Sequence, residues 1–226
     1  MIRSTMSQKN HYRRERARAM VRVLKRLYPK AGMALHFGDH WQLLVSVVLS
    51  AQTTDKKVNE VTQKLFKKYR TLEDYVRVDS RSFSRDIKEI GLYRTKAKNI
   101  LAAATVVQRH YHGKLPKTME QMIALPGVGR KSANVILGNA YGIVEGIAID
   151  THVRRFAIRF DLTDSTNPVV IERDLMRLLP RREWFGFTYR IIEYGRNVCP
   201  ARKHPCERHP LTLLYKRAAN RWYSPR

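Results

Sequence analysis

Leu125-Pro126-Gly127-Val128-Gly129-Arg130-Lys131-Ser132-Ala133 is the stretch on which the reading of this 226-residue chain turns. An amphipathic segment ends at Ala124, a tight glycine turn follows, and a helix of small residues begins near Arg130. Two glycines one residue apart let the backbone turn sharply and approach another molecule with no Cβ in the way. At the start of the following helix, N–H groups without intrahelical partners point outward, where an anion can accept them. Gly-x-Gly alone fits an ordinary turn between helices equally well, so the surroundings must decide.

Helical periodicity surrounds the turn. Val58, Val61, Thr62, Leu65 and Tyr69 follow the i, i+3, i+4 spacing of one helix face, and Ala97, Ile100, Leu101, Ala104 and Val107 repeat it. Thr118-Met119-Glu120-Gln121 reads as a capping box, and Asn167-Pro168 pairs an N-cap with proline at the first helical position. Trp41 to Leu49 is a continuous apolar run that suits a buried strand or a buried helix. No second strand-like run is there to pair with it, so helix is the expectation. An all-α chain follows, without a linker rich in Pro, Gly and Ser and without a long-period repeat. The first ten residues and those after about Asn220 are expected to be loosely tied.

Charge then gives the turn a partner. Lys and Arg total 44 against 19 Asp and Glu, a net +25. Such an excess attracts polyanions, nucleic acid above all. It is concentrated at both ends: Arg13, Arg14, Arg16, Arg18, Arg22, Lys25 and Arg26 face Glu15 alone near the start, and Arg202, Lys203, Arg208, Lys216, Arg217 and Arg221 face Glu207 near the end. A single run of this kind is most simply a solvated helix face; two runs of one sign favour phosphate contact. With that charge, residues of about 118–140 read as a helix-hairpin-helix, a grip on the DNA backbone that positions the duplex without reading it. No apolar run is long enough to span a membrane, and no secretory h-region follows the basic start. Two cysteines make no secreted disulfide framework, and a disulfide between them is not expected in a reducing compartment. A cytoplasmic, in a prokaryote nucleoid-associated, location is expected.

Two residues carry candidate chemistry. Lys131 lies in the first turn of a helix, where the positive end of the macrodipole disfavours its charged form. Partial burial beside Arg130 would add to this, and a neutral amine can attack a sugar C1′ and form a Schiff base. The same lysine reads equally well as a phosphate contact. Ile149-Asp150-Thr151-His152-Val153 supplies the second candidate. Asp150 opens the helix of Val153, Phe156, Ala157 and Phe160 as an N-cap, and backbone donors there favour the carboxylate. A carboxylate beside the sugar can stabilise an oxocarbenium ion or help deprotonate the lysine. For a lone Asp, a purely structural cap is the simpler reading. His152 orients local structure rather than titrating in a reaction.

Leu125 to Ala133, followed by Ile149-Asp150-Thr151-His152, resembles the signature of the endonuclease III family of helix-hairpin-helix DNA glycosylases. The resemblance runs from about Leu43 to His204. It includes Leu49-Ser50-Ala51-Gln52-Thr53-Thr54-Asp55, and Ile90-Gly91-Leu92-Tyr93 with Lys96-Ala97. It implies two helical lobes: a six-helix barrel over 32–146 carrying the hairpin, and a second lobe from 1–31 plus 147–226. In that family DNA lies across the cleft between the lobes, with the damaged base flipped out. The resemblance makes Lys131 the Schiff-base lysine and Asp150 the catalytic aspartate. It makes Gln52 the filler of the gap left by the flipped base, and Leu92 the wedge in the opposite strand. Gly127, Val128, Gly129 and Arg130 become the phosphate grip, with His152 beside it.

Relatives that only remove a base lack this lysine, so glycosylase plus AP lyase activity is implied, on oxidised pyrimidines of the thymine glycol type in double-stranded DNA, by a monomer. The same scaffold acting on uracil or mismatched thymine, or a DNA-binding module without catalysis, are the alternatives. The family's terminal loop usually holds a [4Fe-4S] cluster on four cysteines. Here, over 199–215, the positions read Cys199, Cys206, His209 and Tyr215. Two thiolates do not supply the usual ligands, so the cluster is expected to be lost and no cofactor is expected. Zinc on Cys199, His204, Cys206 and His209 is the rival reading, although the spacing matches no common finger.

Overall fold

The computed structural model describes residues 2–222, with side chains from Gln8 onward. Every regular element among the described residues is helical, as expected. The chain divides into two compact units, Met33–Glu145 and a second one made of Met1–Gly32 with Gly146–Arg226. A long first helix, α1 (Ile2–Leu27), belongs to the second unit.

The continuous unit contains α2 (His40–Leu49), α3 (Asp55–Lys68), α4 (Leu72–Arg77), α5 (Ser80–Asp86), α6 (Tyr93–His110), α7 (Met119–Ile123) and α8 (Arg130–Tyr141). The ambiguous run at Trp41 is α2. Asp39 starts it by accepting from the Gln42 N–H at 2.8 Å, and Leu43, Leu44, Val45 and Leu49 are fully buried. A helix apolar on all sides belongs at a centre, and α2 touches α3, α6 and α8. The periodic faces fall where expected, with Val58, Val61 and Leu65 of α3 and Ala97, Ile100, Ala104 and Val107 of α6 in one core. Thr118 caps α7 by accepting from the Gln121 N–H at 3.3 Å.

The terminal unit adds α9 (Thr151–Arg159), α10 (Pro168–Leu178), α11 (Arg181–Asn197), α12 (Pro210–Leu214) and a 3₁₀ turn at Lys216–Ala219. Asn167 caps α10 with Pro168 at its first position. Helix α1 packs on α10, α11 and α12, burying Ala17, Met20 and Leu24 completely. Its basic face is not all available to phosphate, which corrects part of the charge reading. Arg13 is buried and donates through Nη2 to Asp161 at 2.9 Å and to Asp164 at 2.6 Å. Arg16 Nη1 donates to the Phe160 carbonyl at 2.8 Å, Lys9 pairs with Asp164, and Lys25 with Glu183. Arg14, Arg18, Arg22 and Arg26 remain exposed. The chain end is also better tied than expected, since Trp222 packs on the His204 ring with centroids 5.0 Å apart. Residues 223–226, and the side chains of residues 1–7, lie outside what is described.

Candidate active site

The hairpin turn stands between α7 and α8. Gly127 has φ +81, and a Cβ there would come within 2.9 Å of the Asn99 Cβ, so both conformation and space demand glycine. Gly129 is different. Its φ is −90, open to any residue, and a Cβ there would meet nothing within 4 Å. Nothing among the described residues requires glycine at this position, and the bare backbone there leaves room for another molecule to come close. Gly129 is also the N-cap of α8 and provides no side-chain cap, and a helix start of this kind is where an outside anion is accepted. Val128 is buried and pins the turn, while Arg130 is exposed.

Lys131 is the second residue of α8. It is exposed, not partly buried as expected. The physical reason is register: Ala133, Ile136 and Leu137 take the core-facing side of this helix, and Lys131 stands off it. Asp150 is the N-cap of α9 and accepts from the Val153 N–H at 2.8 Å. Its carboxylate is half-buried. His152 lies against Gly195, where a Cβ would collide with its ring. Burial, with Arg155 and Arg196 acting in the same direction against Asp150, holds its imidazole below the usual histidine range. A pocket of about 390 Å³ opens beside it, lined by Thr151, His152, Arg155, Gly195 and Arg196.

Gln52 and Leu92 share an unusual backbone. Both are exposed and both are left-handed, with φ 54 and φ 58. Such a conformation costs a residue with a Cβ about 1–2 kcal/mol, and strain of this kind gathers at functional sites. Leu92 is 61% exposed and caps α6 with no side-chain bond. One residue holds both loops. Lys96, buried in the first turn of α6, donates through Nζ to the carbonyls of Leu49 at 2.7 Å and Ala51 at 2.6 Å, and to Thr53 Oγ1 at 3.1 Å. Its own N–H bonds the Leu92 carbonyl at 3.0 Å. Lys96 stands in the sequence without a role, because an isolated lysine on an amphipathic helix carries no signal of burial.

Comparison with known proteins gives this geometry its family. Residues 45–181 match the model of the HhH-GPD superfamily base excision DNA repair protein. The chain belongs to the HhH-GPD superfamily of base excision DNA repair proteins. Endonuclease III of Synechocystis sp. is 42% identical over 90% of this chain and 93% of its own length. Endonuclease III of Bacillus subtilis is 40% identical over 86% of this chain and 89% of its own. Among solved structures, a trapped endonuclease III–DNA covalent intermediate aligns with TM-score 0.86 and 37% identity, covering 92% of this chain and 97% of that one. A thermostable thymine-DNA glycosylase, at 23% identity and TM-score 0.76 over 88% and 95% of the two chains, shares the fold. This HhH-GPD chain is thus an endonuclease III-like enzyme of the bifunctional DNA glycosylase and AP lyase type.

The residues at the family's cluster positions do not suit a [4Fe-4S] group. Cys199 and Cys206 are buried free thiols, and the fully buried Arg159 of α9 puts its guanidinium against both sulfurs. Nη1 donates to Cys199 Sγ at 3.0 Å, Nη2 to Cys206 Sγ at 2.6 Å, and Nε to the Ala218 carbonyl at 2.6 Å. The Arg159 Cζ lies over the Trp222 ring, 4.0 Å from its centroid. At the fourth position, the Tyr215 ring is covered by Arg16, whose Cζ stands 3.8 Å from its centroid. An arginine donates to both sulfurs, and two thiols with His209 and Tyr215 do not offer the four thiolates that a cluster takes. Arg159 itself was missed in the sequence, where it is one more cation in a basic chain.

Proposed function

We propose that this enzyme removes oxidised pyrimidines of the thymine glycol type from duplex DNA and then cuts the strand by β-elimination. The observation that carries the reading is Lys131, exposed in the first turn of α8 directly after an uncapped glycine N-terminus. A phosphate accepted by the α8 amides fixes the sugar-phosphate chain beside that amine. The free-amine form of Lys131 attacks C1′ through Nζ, the bond from C1′ to the base nitrogen breaks, and the base leaves with that electron pair and takes up a proton. Opening of the sugar ring gives the iminium. Loss of the C2′ proton then expels the 3′ phosphate, and water hydrolyses the imine to return the lysine.

Asp150 has the carboxylate role: it steadies positive charge developing at the sugar. Its bond from the Val153 N–H keeps the group oriented for this. Leu92 and Gln52, each held forward on a left-handed residue, serve as the apolar wedge and the amide that occupy the stack when the lesion leaves it. His152 and the Arg155–Arg196 pocket add phosphate contacts. A relative's DNA complex is described as an estranged-adenine complex. An adenine left without its partner is what removal of a thymine- or uracil-derived base opposite adenine produces, which supports a pyrimidine lesion. No helix among the described residues is long and apolar enough to cross a membrane. We propose a monomer acting on DNA in the cytoplasm.

Borohydride trapping tests the reading. Duplex carrying thymine glycol should yield a covalent adduct with the wild-type protein and none with Lys131→Gln, which should still bind. Strand cleavage that survives Lys131→Gln would sink the Schiff-base assignment. A duplex panel with uracil and mismatched thymine in place of thymine glycol tests the lesion class.

A further inference from the structure

The terminal loop carries a donor set that the glycosylase chemistry does not use. Cys199, His204 and His209 each direct one ligand atom into a common space, and these atoms all lie within 4.8 Å of one another. Cys199 is fully buried, and both histidines are half-buried with their rings stacked 5.1 Å apart. The hydrogen bonding of the two rings is lopsided. His204 Nδ1 lies 2.8 Å from the Arg202 carbonyl, so that nitrogen carries the hydrogen and the lone pair is on Nε2. His204 Nε2 and His209 Nδ1 are buried, and neither has a hydrogen-bond partner.

Buried polar atoms left unpaired are rare and expensive. An imidazole fixed by a backbone carbonyl at one nitrogen and bare at the other is how a histidine is presented to a metal. Behind the sulfur, Arg159 Nη1 donates to Cys199 at 3.0 Å and fixes where it stands. Cys206 stands back from the group, held by Arg159 Nη2 at 2.6 Å.

We propose that Cys199 Sγ, His204 Nε2 and His209 Nδ1 form a zinc site, with water in the fourth position. A sulfur and two imidazoles suit zinc in type. On binding, the Cys199 thiol gives its proton to solvent as the Zn–S bond forms, and each imidazole contributes a lone pair with no change in protonation. Contraction of the three atoms by a modest side-chain movement brings them to zinc-ligand distances. The ion would join the loop after α11 to the turn before α12, which leaves the base-removal chemistry on its own residues.

Metal-stripped wild-type protein titrated with cobalt chloride tests this without any variant. Tetrahedral d–d absorption with a thiolate-to-cobalt band, bleached by zinc chloride, is the expected result. Zinc addition should also raise the thermal midpoint of the stripped protein. His209→Gln should weaken zinc retention against a chromophoric chelator by at least about tenfold, a loss found even for groups behind metal ligands. A cobalt spectrum no different from that of the aquo ion, with a thermal midpoint unmoved by zinc, would overturn the site. So would purified protein that carries iron with the absorption of a cluster.

Discussion

Asp150 stands where two explanations for one carboxylate meet, because a helix cap and a catalytic group need the same exposed start of α9. Asn caps about as well as Asp, so Asp150→Asn should cost the fold less than about 1 kcal/mol. Single-turnover base excision should meanwhile fall about 10²- to 10⁴-fold, the range for a positioned acid or base. An unchanged rate would reduce Asp150 to a cap. Leu92 permits a similar separation. It is 61% exposed, so Leu92→Ala should leave stability within about 0.5 kcal/mol, while excision from duplex falls more than excision from single strands. Gln52→Gly should raise the thermal midpoint by relieving the left-handed backbone, and it should slow the same step. The positions of Lys131 and Asp150 were legible in the sequence because helix starts are written in local residues. The exposure of Lys131 and the burial of Arg159 were not, since both depend on which side of a helix meets the rest of its lobe.

Helices and their ends carry the next level. Both glycines of the hairpin are visible in the sequence, but only the structure separates them. Gly127→Ala should destabilise the lobe by about 1–2 kcal/mol from backbone strain alone, with the Asn99 contact adding to it. Gly129→Ala has open space and an ordinary φ, so its thermal midpoint should hold. Its affinity for undamaged duplex should drop, measured by anisotropy across a salt series. Equal losses of stability in the two variants would refute the division of roles. Caps and periodic faces were readable at this scale: Asn167, Thr118 and the faces of α3 and α6 follow from rules spanning a few residues. The run at Trp41 needed tertiary context, because an all-apolar segment has no period to read. Lys96 needed it too, as its partners lie more than forty residues back.

For the molecule as a whole, the division into two units is the part least available to local reading. Periodicity does not say that a first helix closes a lobe begun again at Gly146; only the family resemblance suggested it. The closure has an acid-sensitive side. Hydrogen bonds from Arg13 above all, with Lys9 beside it, hold the Asp164 carboxyl down at about 2, against an ordinary 3.8. Asp161 is lowered as well, since Arg13 and Arg16 outweigh its burial. This stabilisation is fully present above the ordinary carboxylate range and is lost as pH falls toward about 2. The terminal unit should therefore lose amide protection at the α1 contact over that window, followed by hydrogen exchange, and Asp164→Asn should flatten the dependence. A protection pattern indifferent to acid would mean the clasp contributes nothing.

The same closure sets an order of events during synthesis. Residues Met33–Glu145 hold a full core of their own and can fold as they leave the ribosome, because domains fold as units while the chain grows. Helix α1 emerges before them, yet the surfaces for Ala17, Met20 and Leu24 come from α10, α11 and α12, which are translated after them. Its apolar stripe has to stay uncovered until α10 to α12 have been made, which makes the newly synthesised α1 a natural client for a chaperone.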